Sequence, residues 1–406
     1  MLIDDDSAPT AQRAVTLLNE RSNAQIYAAI LTQGPLSRTE VSRLTGFSQS
    51  TITKAVQPMI GDGYLVEGTE QQAGVGRPQV PLRVNNARHT VVGIKLARDE
   101  VIGVVIDLGA EVLAAQHRKL VDRSVETAVE AIRSVTASLF ANDPDFARRA
   151  VGIGIGVGGH VDGRIGMVRE SPILGWHDVP LGDLVKAAVG LPAVVENDVN
   201  ALAVAEQWFG AGRDVDWFAV VTVGAGVGCG LVLDGTLTHG ATGAAGELGH
   251  VTIDPDGAPC SCGKRGCVET IATDGAILAA IRAAGGPEVD SMTAAAALAR
   301  EGDAHCRAAF ARAGDALGQA VALVLNLVNP TRVVLSGEGI AASDLMLDSL
   351  RASMARHAFS SVADCELVTR PLADETWARG AATTVVQRLV SRPRLRRPAS
   401  PPGDGR

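Results

Sequence analysis

The sequence predicts an α/β protein in which a small winged helix-turn-helix precedes a larger domain of alternating strands and helices. Apolar residues recur at helical spacing between residues 24 and 60, and two short extended stretches follow them. From residue 89 onward, short apolar runs alternate with amphipathic helical segments, which is typical of an α/β domain. At 406 residues, the chain is long enough for two or three domains.

The N-terminal module is assigned to residues 21–86, after a polar tail at 1–20. We predict helices at 24–32, 38–44 and 49–60, with a turn at Gly46. Six apolar residues are spaced to close a three-helix core: Val41, Leu44, Phe47, Ile52, Val56 and Ile60. Extended stretches at 64–66 and 80–84 predict a hairpin wing that carries Arg77 between a glycine and a proline.

The second helix of a helix-turn-helix places its N-terminal residues against base edges in the major groove. Seven hydroxyl, amide and ammonium side chains are the candidate contacts to double-stranded DNA here: Ser48, Gln49, Ser50, Thr51, Thr53, Lys54 and Gln57. Arg77 suits a narrow minor groove. The chain carries a net charge of −8, but residues 21–86 hold six basic and four acidic residues, so DNA binding would be local. Alternatively, Ser48 is only an N-cap, and the other polar residues form a solvated helix face.

The larger domain is assigned to residues 88–390. Its predicted strands are 91–96, 101–107, 151–157, 193–196, 218–223, 230–233 and 332–335, and its predicted helices include 124–140, 199–208 and 304–327. Residues 391–406, rich in Arg, Pro, Ser and Gly, are predicted to be a disordered tail. An acidic N-terminus and the lack of an uncharged run of about 18 apolar residues predict a cytoplasmic protein without a membrane span.

Four residues form the pattern H-x9-C-x-C-x4-C: His250, Cys260, Cys262 and Cys267. One imidazole and three thiolates match a closed tetrahedral zinc site, so we predict one structural Zn²⁺ per chain. The alternative is a set of buried free thiols. Cys229, Cys306 and Cys365 stand apart from the cluster, and core packing is their default interpretation.

Several motifs identify the chain as resembling the ROK family of repressors, open reading frames and kinases over residues 88–390. They are the ENDVNA run at 196–201, the glycine-rich loop at 224–228, the GAAGELGH run at 243–250, and the cysteine cluster ending in Cys267-Val268-Glu269. The preceding winged helix resembles that of the ROK repressors of sugar metabolism. The resemblance implies the two-lobed actin-like ATPase fold of sugar kinases.

The resemblance also implies a sugar pocket between the lobes, formed by Asn197, Asp198, Glu247, His250 and Glu269. Carboxylate and amide groups can bind several ring hydroxyls at once. His250 would bind zinc with one ring nitrogen and face the sugar with the other. The alternatives are surface salt bridges for Glu247 and Glu269, and a helix N-cap for Asn197 and Asp198.

The phosphate-binding loops depart from the ROK kinase pattern, although Asp198 matches the catalytic base. The first loop, Asp-x-Gly-Gly-Thr in the family, reads Lys95-Leu96-Ala97-Arg98-Asp99, and Ala225 replaces a threonine of the second. Gly337 and Gly339 of the adenosine motif remain, which we attribute to tight turns. Ile173 replaces an asparagine that many relatives carry. We therefore predict a sugar sensor that is not an enzyme.

The leading hypothesis is a transcriptional regulator, a repressor of carbohydrate metabolism, whose sugar effector changes operator affinity. Two half-sites favour a homodimer or homotetramer. One alternative is an ATP-dependent sugar kinase that carries a DNA-binding domain. Another is an interaction protein whose sugar pocket is vestigial.

Overall fold

The computed structural model describes residues 21–69, 80–362 and 364–390. The two predicted tails and Arg77 lie outside the described residues.

The N-terminal domain contains the three predicted helices and a two-stranded antiparallel sheet. Their bounds are α1 Arg21–Gln33, α2 Arg38–Thr45, α3 Gln49–Gly61, β1 Leu65–Glu67 and β2 Leu82–Val84. A capping box between Ser37 and Glu40 begins α2, and Gly46 ends it in the left-handed conformation. The second strand begins two residues later than predicted. Pro81 precedes it and has no N–H to extend the ladder.

The first lobe is built on a five-stranded sheet with the strand order β10-β6-β3-β4-β5, beside a small three-stranded sheet, β7-β8-β9. Its strands are β3 Thr90–Leu96, β4 Glu100–Asp107, β5 Val112–Lys119, β6 Ala150–Val157, β7 His160–Asp162, β8 Met167–Ser171, β9 Trp176–Val179 and β10 Ala193–Asn197. Its helices are α4 Val125–Asn142, α5 Pro144–Arg149 and α6 Leu181–Val189. Helix α7, Asp198–Phe209, follows β10 directly.

The second lobe holds a five-stranded sheet with the strand order β13-β12-β11-β14-β15. Its strands are β11 Phe218–Val223, β12 Val227–Leu233, β13 Thr236–Leu237, β14 Arg332–Ser336 and β15 Glu366–Thr369. Its helices are α8 Glu269–Ala272, α9 Asp274–Ala283, α10 Met292–Glu301, α11 Ala304–Val328 and α12 Leu347–His357. Helix α13, Asp374–Leu389, returns to pack on β3, β6 and α7.

The two large sheets share one topology. In each sheet, three consecutive strands form an antiparallel meander: β3-β4-β5 in one and β11-β12-β13 in the other. The first strand of each meander also pairs in parallel with a fourth strand, β6 or β14, and a fifth strand, β10 or β15, pairs in parallel with the fourth. This duplicated arrangement is the two-lobed actin-like fold implied by the resemblance. The fold places the carboxyl end of β10, and hence the start of α7, in the cleft between the lobes.

Helix α11 is the one described helix that is long and apolar enough to cross a membrane. However, 67% of its most apolar window is buried inside the molecule. It packs along α12 and contributes Phe310, Leu317 and Leu325 to the core of the second lobe. Its apolar character is therefore accounted for by burial within the fold.

Candidate functional site

The polar residues predicted to read DNA lie together on the outer face of α3. Thr51 is half-buried, and the other six are exposed: Ser48, Gln49, Ser50, Thr53, Lys54 and Gln57. The opposite face of the helix is buried through Ile52, Val56 and Met59. Ser48 is also the N-cap, since its hydroxyl accepts a hydrogen bond from the Thr51 N–H at 3.2 Å. The N-cap alternative thus describes Ser48 correctly, while the rest of the face is open to a partner.

The four predicted metal ligands converge, and their donor atoms all lie within 4.8 Å of one another. The Sγ atoms of Cys262 and Cys267 are 3.7 Å apart, and Nδ1 of His250 lies 3.5 Å from Sγ of Cys260. A tetrahedral centre with bonds of about 2.0–2.3 Å requires donor separations of about 3.5–3.8 Å. These two distances fall in that range, and the four residues could hold a metal ion.

The turn that brings the cysteines together depends on Gly266. This residue has φ +60°, and a Cβ there would lie 1.4 Å from the carbonyl oxygen of Asp254. A short bridge between Pro259 and Arg265 folds the chain back on itself. Outside the cluster, Cys229 and Cys306 are buried, as expected for core residues, whereas Cys365 is half-buried.

The carboxylates predicted to bind sugar lie near one another and near the predicted metal ligand His250. Burial is the main reason that the pKa of Glu247 is raised; the nearby charges of Glu269 and Asp198 add to the shift, while His250 and His160 oppose it. Nε2 of His250 lies 3.9 Å from Glu247, and Nδ1 faces the cysteines. His160, which was not predicted from the sequence, also lies near Glu247, and its Nε2 is 2.8 Å from the carbonyl oxygen of Thr242.

Asn197 and Glu269 are held by the backbone around them. The Asn197 side chain accepts from the N–H groups of Val199 and Asn200 at 3.0 and 3.1 Å, so it is the N-cap of α7. Its amide donates to the carbonyl of Gly159 at 2.9 Å. Glu269 accepts from the Val227 N–H at 3.0 Å, and its carboxylate also lies 3.8 Å from Nδ1 of His250.

Asp198 forms an ion pair with Lys95, which lies 103 residues away in the sequence. Each side chain is only 12% exposed. The Lys95 ammonium also lies over the Trp377 ring, 4.7 Å from its centroid, and the Trp377 indole donates to Glu338 at 2.8 Å. We call Asp198, Lys95, Trp377 and Glu338 the cleft relay. Sequence reasoning missed it because its members lie on four separate elements.

Beyond Trp377, the cleft holds the acidic residues Glu338 and Asp274. A Cβ on Gly224 would lie 2.5 Å from the carboxylate of Glu338. The pKa of Asp274 is raised, mainly by burial and also by Glu338. Gly337 adopts φ +99° and packs against Val223, which supports the expectation that this glycine is needed for a tight turn.

A family model described as ROK family matches residues 91–388. The chain belongs to the ROK family. The xylose repressor of Caldicellulosiruptor bescii is 29% identical over 392 residues, which cover 93% of this chain and 98% of that protein. The DNA-binding transcriptional dual regulator NagC of Escherichia coli is 26% identical, with 93% and 95% covered.

The solved structures that are similar to this chain include a regulator and kinases. A ROK family transcriptional regulator, a homolog of the E. coli MLC protein, matches with a TM-score of 0.81 and 29% identity over 93% of this chain and 97% of that chain. A ROK family glucokinase from Streptomyces griseus matches with a TM-score of 0.65 and 28% identity, over 73% and 98%. The regulators cover the N-terminal domain as well, and they confirm the interpretation as a ROK transcriptional regulator and not an enzyme.

The cleft relay explains how this ROK chain departs from the kinases. The residue that matches the kinase base, Asp198, is paired with the lysine that stands where the first phosphate loop has its aspartate. The rest of that loop is an ordinary turn between β3 and β4, with the side chains of Arg98 and Asp99 66% and 73% exposed. Backbone N–H groups in a glycine-rich loop usually hold phosphate, and Ala97 donates its N–H to Glu100 instead.

Proposed function

We propose that this protein is a cytoplasmic, DNA-binding repressor of carbohydrate metabolism that responds to a sugar bound between its lobes. The observation that carries the proposal is the exposed polar face of α3, on a helix-turn-helix joined to a sugar-kinase fold. Full-length similarity to the xylose and N-acetylglucosamine repressors supports it.

DNA would be read through base-edge contacts from Gln49, Ser50 and Gln57 and through phosphate contacts from Lys54 and neighbouring hydroxyls. Arg77 would reach the minor groove. A single helix-turn-helix covers one half-site, so we expect a symmetric dimer or a tetramer built from dimers.

The sugar would be held by Asp198, Glu247, His250 and Glu269, with Asn197 fixing the start of α7. Several carboxylates that each accept from a ring hydroxyl would allow the pocket to reject the wrong epimer. Ile173 lies beside Gly158 in the same region and offers an apolar contact. It would favour a sugar with fewer polar groups at that position.

Zinc is the metal that we propose for the His-Cys₃ set, because three thiolates and an imidazole in tetrahedral arrangement favour it. All four protein ligands would be used, which leaves no position for a catalytic water. The ion would fix the wall of the sugar pocket through His250. Metal analysis of the purified protein should find one zinc per chain.

A thermal-shift screen with D-xylose, N-acetyl-D-glucosamine, D-glucose and ATP with Mg²⁺ tests the sugar site directly. We expect one sugar to stabilise the protein and ATP with Mg²⁺ to have no effect. The second candidate function, a sugar kinase, is favoured only by the presence of Asp198. Sugar-dependent ADP production that is lost in Asp198→Asn would establish the kinase and overturn the proposal.

A further inference from the structure

The N-terminal domain rests on the ends of the two helices that leave the cleft. Helix α7 begins at Asp198, and Phe209 at its other end packs against the same apolar cluster as Leu31 of α1. Helix α13 carries Trp377 in its first turn, and Leu389 in its last turn packs against a second apolar cluster that Leu31 also contacts. Both helices therefore connect the sugar site to the DNA-binding domain.

The contact between the domains is close and specific. Gln33 donates to the carbonyl of Arg213, just beyond α7, at 3.4 Å, and Arg213 donates back to the carbonyl of Thr32. Apolar residues from α1 and from the ends of α7 and α13 belong to one continuous core. Movement of either helix at the cleft would therefore displace α1, because a close-packed interface transmits strain.

Lys95 contacts both helices in the cleft. Its ammonium pairs with Asp198 at the start of α7 and lies over Trp377 of α13, while Trp377 bonds to Glu338 of the second lobe. A cation held by a carboxylate and an aromatic face at 12% exposure has few alternative positions. Within this cleft, the Lys95 ammonium balances the negative charge of Asp198.

We propose that Lys95 couples the sugar site to the DNA-binding domain. This proposal rests on the proposed function. A sugar hydroxyl that donates to Asp198 competes with Lys95 for the carboxylate. The shift of the ammonium changes its contact with Trp377 and so the position of α13. Coupling of this kind requires only that the sugar bind the two arrangements of the relay with different affinity.

The test measures the affinity of the chain for a duplex DNA that the wild-type protein selects from a random pool. Each titration is made with and without one sugar. That sugar is whichever of D-xylose, N-acetyl-D-glucosamine and D-glucose stabilises the wild-type protein in the thermal-shift screen. We expect the sugar to weaken DNA binding by roughly tenfold or more in the wild type. In Lys95→Met the change should fall below about threefold, although calorimetry still detects the sugar.

Two further variants separate coupling from a general structural effect. Lys95→Arg keeps the cation and should retain the response. Arg98→Met removes a neighbouring, 66% exposed cation that lies outside the relay, and it should respond like the wild type. A full sugar response in Lys95→Met would overturn the coupling role.

If Lys95→Met fails to fold or to bind the sugar, Trp377→Phe decides the question. This change keeps an aromatic face for Lys95 and removes the indole N–H that bonds to Glu338. A weakened response with sugar binding intact supports the coupling role, and an unchanged response refutes it. If the wild type itself responds to no sugar, both the proposed function and the coupling role fail.

Discussion

Asp198→Asn should destabilise the protein because it leaves the Lys95 ammonium in the cleft without its carboxylate. Removing one member of a buried ion pair costs about 3–5 kcal/mol. The Trp377 ring, 4.7 Å from the ammonium, retains about 1 kcal/mol of attraction, and the asparagine carbonyl can still accept a hydrogen bond. We therefore expect the free energy of unfolding to fall by about 2–3 kcal/mol.

Urea unfolding followed by circular dichroism measures this loss, and the double variant Lys95→Met/Asp198→Asn provides the key comparison. Removing both charges eliminates the uncompensated cation, so the double variant should be more stable than Asp198→Asn alone, by about 1–2 kcal/mol. The exposed pair Arg98 and Asp99, 4.0 Å apart, is the matched control, and its double neutralisation should cost less than about 0.5 kcal/mol. The pairing of a buried Lys95 with Asp198 would be refuted by either of two results. One is a loss in the free energy of unfolding below about 0.5 kcal/mol for Asp198→Asn, and the other is a loss in the double variant equal to the sum of the losses in the two single variants.

Three further outcomes are expected. Lys54→Ala should weaken operator binding and lower the slope of log affinity against log salt by about one per DNA-bound chain, whereas Lys186→Ala on α6 should leave the slope unchanged. Cys260→Ser should lose the metal and lower the melting temperature, while Cys365→Ser retains the metal; equal metal content in the two variants would contradict the ligand set. Burial, reinforced by a neighbouring arginine, lowers the pKa of His89 from 6.5 to about 4. As the pH falls, His89 therefore takes up a proton in the unfolded chain before it does so in the folded protein. The contribution of neutral His89 to the free energy of unfolding should be fully present above pH 6.5 and should fall by up to about 3 kcal/mol towards pH 4. Urea midpoints at several pH values should show this decline in the wild type and a flatter profile in His89→Phe.

The elements that were predicted well have strong local signals. Helix α3 begins at the predicted residue because Ser48 is an N-cap and the apolar positions that follow have a helical period. Strand β11 matches its predicted bounds, since a run of buried apolar residues lies between polar turns. In contrast, β5 was not predicted, because most of its residues are exposed and it is identified as a strand only by its pairing with β4.

The candidate site shows the same division between local and long-range signals. The metal cluster was predictable because its four ligands lie within 18 residues and have recognisable spacing. The partner of Asp198 was not predictable, because the resemblance explained Lys95 only as the loss of the aspartate that would organise magnesium in the first phosphate loop. No periodicity relates β3 to the start of α7; pairing of both β3 and β10 with β6 brings them together. His160 was missed for the same reason.

The central claim is that this ROK chain binds DNA and that a sugar controls the binding. The most direct measurement is the affinity of the wild-type protein for its selected duplex as D-xylose, N-acetyl-D-glucosamine or D-glucose is added, without nucleotide. We predict that one of these sugars weakens DNA binding by roughly tenfold or more. Operator affinity that is unchanged by every sugar, in a protein that still binds one of them, would contradict the account.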